Sequence, residues 1–284
     1  MNNLTRRAFA QVNVFSSDPV LGNPVAVVLA ADGLSEHRMA AFARWTNLSE
    51  TTFILPPTDP RADYRLRIFT TLEEMPFAGH PTLGSCHAWL ESGGRPSGED
   101  VVQECGIGLV RIRRKDGRLS FQAPPLLRDS VLDADLLARV VTGLALQQEE
   151  VMDARWVDNG GGWLAVRLRS RASVLAARPA FEQLAGLKIG VFGPWEAGSS
   201  EDVQFESRAF IAGDGVPEDP ATGSLNAGIA RWLRNEEYPA TRYVISQGTA
   251  LGRAGRIHVE CSGNEVWIGG ECATCITGTA VLGE

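Results

Sequence analysis

His80-Pro81-Thr82-Leu83-Gly84-Ser85 and Asp219-Pro220-Ala221-Thr222-Gly223-Ser224 share one frame, x-Pro-x-x-Gly-Ser, 139 residues apart. Each runs into an apolar, helix-like segment, ending at Trp89-Leu90 in the first case and Trp232-Leu233 in the second. Working outward, other pieces recur in the same order. Gly22-Asn23-Pro24-Val25-Ala26-Val27 resembles Gly161-Gly162-Trp163-Leu164-Ala165-Val166, with Ala26 and Ala165 again 139 apart. Arg67-Ile68-Phe69 echoes Arg208-Ala209-Phe210 at a step of 141, and the hairpin signals Asp116-Gly117 and Gly263-Asn264 recur at 147. Four matches in one order argue for an internal duplication, with loop insertions supplying the drift. On this frame His80 and Asp219 occupy equivalent corners of two copies, and a cleft between similar halves is where small-molecule chemistry usually sits.

The chain has 284 residues, 44% of them hydrophobic, enough for two domains with their own cores. Its formal charge of −7 argues against a nucleic-acid or anionic-membrane partner. The basic run Arg111–Lys115 leads into a hairpin turn and reads as a solvated loop tip. No apolar run approaches the roughly 20 residues of a membrane span, and the N-terminal stretch lacks a signal-peptide core. Five cysteines, an odd number, fit a reducing cytoplasm better than a disulfide framework. Cys272 and Cys275 form a C-x-x-C, but the segment reads as strand and opens no helix, and only Cys261 and His258 could complete a metal set. Buried strand cysteines are the expectation there, with no metal and no cofactor.

Ala8–Phe15, Val25–Leu29, Thr51–Leu55 and Tyr64–Phe69 read as strands, and Ser35 as the N-cap of a helix through Ala43. A helix is expected from Pro81 to Leu90, then strands at Val101–Gln103, Leu109–Arg113 and Leu119–Phe121. Ala123-Pro124-Pro125 is the linker signal, dividing the chain into domains 1–123 and 124–284. The second half repeats the order: strands near Trp156 and at Trp163–Leu168, a helix near Phe181, strand Arg208–Ile211, and helix Thr222–Leu233. Strand runs around one central helix, used twice, define an α+β class.

Asn47-Leu48-Ser49-Glu50-Thr51-Thr52-Phe53 sets a glutamate between a helix and an apolar strand. Glu50 is then either a solvated strand-edge residue or a general acid/base whose pKa partial burial raises. His80 lies beside backbone N–H groups at a helix start, an anion site, and Asp219 in its own frame reads as an N-cap open to catalysis as well. Neither Ser85 nor Ser224 lies in a G-x-S-x-G frame. Two carboxylates, an imidazole and two helix N-termini suit proton transfer at carbon on a small carboxylate.

At this point the chain resembles the phenazine biosynthesis-like (PhzF) family, in the diaminopimelate epimerase-like fold. The resemblance rests on Phe15 with Gly22–Val27, Asn47–Thr51, Arg67–Thr70, Glu74–Gly84, Glu218–Ser224, and Gln247-Gly248 with Gly252-Arg253. It covers essentially the whole chain, departing at Asn13, where an aspartate is common, and at Thr71, where proline usually follows Phe-Thr. It implies two domains, each a curved, mostly antiparallel sheet around a central helix, with the active site between them, and a homodimer. It also implies Glu50 as the proton shuttle, with His80, Asp219, Gly223 and Ser224 binding and polarising the substrate. The two-thiol racemases of the same fold carry a cysteine at each central-helix start, and none of the five cysteines stands at the His80 or Asp219 corner.

The expectation is therefore a cytoplasmic, cofactor-independent isomerase of a small carboxylate. Its catalytic residues would be Glu50, Asp219 and His80. Its substrate-binding residues would be Gly79, Gly84, Ser85, Gly223 and Ser224, with the Gly84 and Gly223 helix ends holding anionic oxygens. A lyase or hydrolase acting on a related ring acid, or a non-catalytic binding protein of the same fold, are the alternatives.

Overall fold

The computed structural model describes residues 4–196, 198, 202–213 and 216–283. The chain divides into two compact units, one holding the residues up to Gln122 together with those from Gly269 on, the other Ala123–Ile268.

Unit 1 begins with β1 (Leu4–Val14), β2 (Asn23–Val28), α1 (Glu36–Thr46), β3 (Thr51–Leu55), β4 (Tyr64–Phe69) and the short β5 (Glu74–Met75). It continues with α2 (Gly79–Glu91), β6 (Val101–Cys105), β7 (Gly108–Lys115) and β8 (Arg118–Gln122). The pairing runs β1–β2–β3–β4–β6–β7–β8, antiparallel except for the parallel β2–β3 and β4–β6 joints, with β5 laid against the end of β4. Helix α1 starts where Ser35 accepts the Arg38 N–H and stops at Asn47, whose left-handed φ of 56° closes the last turn onto Ala43. Its buried Met39 and Ala43 meet Phe53 and Phe69 of the sheet, whose rings pack edge to face at 5.6 Å. Helix α2 is the central element, with nine of its residues buried. The β7–β8 hairpin turns at Asp116 and Gly117, both with positive φ, the geometry of a two-residue primed turn.

Unit 2 contains α3 (Ala134–Gly143), β9 (Val151–Trp156), β10 (Trp163–Leu168), α4 (Arg171–Ala176), β11 (Lys188–Pro194), β12 (Phe205–Ile211) and β13 (Glu218–Asp219). After these come α5 (Gly223–Asn235), β14 (Arg242–Gln247), β15 (Gly255–Ser262) and β16 (Glu265–Gly270), whose last two residues are counted with unit 1. Its pairing β9–β10–β11–β12–β14–β15 has parallel joints at β10–β11 and β12–β14 and a short β13 against β12. That is the unit-1 pattern again, strand for strand, with α4 in the place of α1 and α5 in the place of α2. The α+β duplication is therefore present in the hydrogen-bonding itself.

The chain ends with β17 (Cys272–Gly283), which pairs antiparallel with β1 from Leu4↔Gly283 to Val14↔Cys272. This corrects the 124–284 span: the last strand belongs with unit 1, because β1 supplies its ladder. The helix expected near Phe181 is also displaced. Helix α4 ends at Ala176, and Ser170 caps its start by accepting the Ser173 N–H. No helix among the described residues is long and apolar enough to cross a membrane.

The structure re-indexes the repeat. Arg67 of β4 binds Glu74 of β5, and Arg208 of β12 binds Glu218 of β13, so the 141-residue step holds for the two arginines. The loop after Phe210 is three residues longer than the one after Phe69, and beyond it α2 and α5, both 13 residues long, start 144 apart. The x-Pro-x-x-Gly-Ser match at 139 therefore compares unlike places. Pro81 sits inside the first turn of α2, where no N–H is needed, whereas Pro220 precedes α5. The helical counterpart of His80 is Ser224, and that of Gly84 is Gly228.

Candidate functional site

Glu50 follows the left-handed stop of α1 and directly precedes β3, and its carbonyl accepts the Ala26 N–H at 3.4 Å. The parallel joint Ala26↔Thr51 holds this point against β2. Thr51 is further tied by its hydroxyl to Thr46 at 2.7 Å. The glutamate thus projects from backbone fixed on both sides, and its side chain is 16% exposed. The solvated strand-edge reading does not fit that burial.

His80 is the second residue of α2, inside the helix and not before it, and is 4% exposed. Its Nε2 lies 3.2 Å from Glu50 Oε2. Its Nδ1 lies 3.2 Å from Asn23 Nδ2, a fully buried amide at the start of β2. Burial pushes the imidazole pKa down to about 3, so the ring is neutral near pH 7 and serves as a hydrogen-bonding group, not a proton reservoir.

The N-terminus of α2 carries no side-chain cap on Ala78. Since Pro81 has no N–H and the Thr82 N–H already bonds Ala78, the first-turn donors without an intrahelical partner are those of Gly79 and His80. Gly84 and Ser85 lie a turn further on, which corrects their assignment as an anion-holding end. A Cβ on Gly84 would come within 2.4 Å of Val25 Cγ1 and 3.0 Å of Val14 Cγ2, so this glycine serves close packing of α2 on β1 and β2. Ser85 is buried, and its hydroxyl donates to Thr52 Oγ1 at 2.8 Å. Thr52 in turn donates to the Ala26 carbonyl, so a polar rail ties α2 to β3 and β2.

In unit 2, Asp219 is a β13 residue, not the N-cap of α5; Thr222 is the cap residue. The two still meet, because Thr222 Oγ1 donates to Asp219 Oδ2 at 2.6 Å. Gln247 organises this corner. Its Oε1 accepts from Thr222 N and Asn226 Nδ2, and its Nε2 donates to the Asp219 carbonyl and to Thr222 Oγ1, all at 2.7–3.0 Å. Gly223 opens the helix, and Ser224 accepts Trp163 Nε1–H at 3.0 Å on its hydroxyl and Asn159 Nδ2–H on its carbonyl.

Asn23 and Gln247 are missing from the sequence-based site set. Both stand in motifs that carried the family resemblance, Gly22-Asn23-Pro24 and Gln247-Gly248, and that was the available signal. Cys86 lies in the second half of α2 with its thiol pushed up to about 12 by burial, far from a reactive thiolate. Cys272 and Cys275 both lie on β17, three residues apart, with Cys272 half-buried and Cys275 exposed, which corrects the expectation that both are buried. Among the described residues no group of three or more His, Cys, Asp or Glu is placed to hold a metal ion. A cavity of about 560 Å³ in unit 1 opens at the other end of α2, beside His87, Glu91, Arg114 and Arg118, and includes neither Glu50 nor His80.

The PhzC-PhzF family profile, described as phenazine biosynthesis-like protein, matches residues 12–283. "Antisense-enhancing sequence 1" of Schizosaccharomyces pombe is 37% identical over 98% of this chain and 100% of its own length. The trans-2,3-dihydro-3-hydroxyanthranilate isomerase of Pseudomonas aeruginosa is 34% identical, over 96% of this chain and 99% of that protein. A crystal structure of a PhzF-family phenazine biosynthesis protein from Enterococcus faecalis superposes with a TM-score of 0.80 at 24% identity, covering 97% of this chain and 99% of that one.

Proposed function

We propose that this chain, which belongs to the PhzC-PhzF phenazine biosynthesis-like family and is an isomerase, moves a proton between carbons of a small carboxylate with Glu50 as the shuttle. The observation that carries this reading is the Glu50–His80 pair: a carboxylate on rigid backbone, mostly shielded from water, facing a buried neutral imidazole at 3.2 Å. In the forward step the Glu50 carboxylate takes a proton from a carbon next to an activating group, and the electron pair of that C–H bond passes into the conjugated system of the substrate. The same carboxyl then returns the proton to a different carbon of that system. Atoms and charge balance with no oxidant, reductant or water consumed, so the reaction calls for no cofactor.

The Gly79 and His80 N–H groups at the start of α2 are the donors we assign to an anionic oxygen of the substrate, where the helix dipole favours negative charge. His80 Nε2 stands 3.2 Å from Glu50 Oε2 without completing a hydrogen bond in this geometry, so the ring is the neighbour the carboxylate meets as it turns to and from substrate. The first compound to test is trans-2,3-dihydro-3-hydroxyanthranilate, the compound in the name of the Pseudomonas aeruginosa relative. In D₂O, NMR should show loss of one C–H signal and a new C–H or C–D at a second carbon, with unchanged mass apart from the label. Deuterium should enter to the extent that the Glu50 carboxyl exchanges with solvent between the two steps. Glu50→Gln should slow this by on the order of 10²–10⁴. Full exchange in Glu50→Gln removes Glu50 as the base, and a product lighter by one water replaces isomerisation with elimination.

A further inference from the structure

Asn23 and His80 are 57 residues apart, yet the amide of one addresses a single nitrogen of the other. An amide N–H only donates, so the ring nitrogen it faces, Nδ1, must present its lone pair. A neutral imidazole has one N–H, and that proton is then on Nε2, the nitrogen 3.2 Å from Glu50 Oε2. Asn23 donates to Nδ1, and Nε2, carrying the proton, lies beside a carboxylate oxygen that it does not yet hydrogen-bond. The other tautomer sets N–H against N–H at Asn23 and a lone pair against a carboxylate at Glu50.

We infer that Asn23 is the positioning residue of this site, its amide fixing His80 as the Nε2–H tautomer and so placing an N–H beside the Glu50 carboxylate, within a small side-chain rotation of donating to it. Asn23 is itself held. It pairs with Val14 across β1–β2, and the preceding Gly22 N–H donates to Asn13 Oδ1 at 2.8 Å. Asn13 Nδ2 donates in turn to the Asp18 carbonyl at 2.7 Å, closing the 15–22 loop from both sides of one amide. An aspartate at position 13 could accept from Gly22 but could not donate to Asp18, so the asparagine found here is the residue type that completes this clamp. A Cβ at Gly22 would lie 2.1 Å from the Val14 carbonyl, so the entry to Asn23 has no room to shift.

The tautomer follows from the Asn23 amide turning its Nδ2 toward the ring; its catalytic consequence rests on the Glu50 reading above. The test is long-range ¹H–¹⁵N correlation on protein labelled with ¹⁵N-histidine, using wild type, Asn23→Asp and Asn23→Ala. His80 should show a protonated Nε2 and an unprotonated Nδ1 in the wild type at pH 7. In Asn23→Asp the acceptor at position 23 should draw a proton onto Nδ1. In the deuterium-exchange assay kcat should fall on the order of 10²-fold or more with KM changed less than about threefold, as expected when an imidazole is held in the wrong protonation pattern. A protonated Nδ1 in the wild type overturns the inference without any variant having to fold, and so does an unprotonated Nδ1 in Asn23→Asp. Should Glu50→Gln retain full exchange while the wild-type tautomer is as stated, the functional reading fails and the positioning role of Asn23 stands.

Discussion

The two Arg–Glu clamps offer a comparison that the duplication sets up by itself, one motif at two depths. Arg208 donates from Nε and Nη2 to the two carboxylate oxygens of Glu218, each at 2.9 Å, and from Nη1 to the Ala177 carbonyl at 2.8 Å. The side chains of this pair are 6% and 12% exposed. Arg67 makes the same fork onto Glu74 and also reaches Glu36, but here Arg67 is 23% exposed and Glu74 35%. Removing one member of a buried pair leaves the other charge without compensation, which costs about 3–5 kcal/mol, and the lost Ala177 bond adds about 1. An exposed pair is worth about 0–1 kcal/mol. Arg208→Met should therefore cost about 4–6 kcal/mol by the same two sources and Arg67→Met about 1 or less. In Arg208→Met/Glu218→Leu, where both charges are gone, most of the loss should return. The assay is urea unfolding of wild type and the three variants, with hydrogen exchange of residues 205–219 locating the change. Equal costs for Arg67→Met and Arg208→Met, or no recovery in the double variant, would refute the depth argument.

Gly84→Ala should destabilise by about 1–3 kcal/mol, because the added methyl must displace Val25 on β2; calorimetry checks this, and the exchange rate per folded molecule should stay at the wild-type value. His80 gives a pH dependence of defined sign. The unfolded ring takes up a proton below about 6.5 and the folded ring only near 3, so the unfolded state holds more protons between those values. Stability should fall as pH drops from 6.5 towards 3, by up to about 1.4 kcal/mol per pH unit from this group. Unfolding curves for wild type and His80→Gln between pH 7 and 4 test it: equal slopes would contradict a neutral buried His80.

Much of the scaffold was legible because its signals are local. Thr51–Leu55, Tyr64–Phe69 and Trp163–Leu168 are strands over those same bounds, since apolar and β-branched runs with turn residues at each end admit little else. Ser35 marked its helix through a cap that acts three residues ahead. Helix α3 has no place in the sequence reading although Asp133 caps it in the same way, and α4, only six residues long, is expected too far along the chain, near Phe181. The repeat was legible in kind and misindexed in detail. Proline is tolerated on either side of a helix start, so x-Pro-x-x-Gly-Ser fits two different positions, and only the Arg–Glu clamps and the helix lengths fix the step. In the site, Glu50 stood out because a charged residue leads straight into an apolar strand. Its contact with His80, and that of His80 with Asn23, depend on how α2 packs onto β2 and β3, which no spacing in the chain states.

With the repeat correctly indexed, the two copies divide into what the fold requires and what the chemistry uses. The clamps Arg67–Glu74 and Arg208–Glu218 recur because each pins a short strand to the sheet just before the central helix. The glycines at 79 and 223 recur as first residues of those helices, and those at 84 and 228 as points where a Cβ would strike the sheet or the preceding chain. The positions proposed for the chemistry do not recur. Phe69 pairs with Thr51 and Phe210 with Ile189, so the residue before each partner is Glu50 in unit 1 and Lys188 in unit 2. Where unit 1 has His80, unit 2 has Ser224, whose hydroxyl is engaged by Trp163. A lysine and a serine cannot reproduce a carboxylate beside a neutral imidazole. Asp219 therefore is not the counterpart of His80: it lies on β13, positioned by Thr222 and Gln247. The frame is present twice, and the proposed Glu50–His80 pair has no counterpart in the second copy.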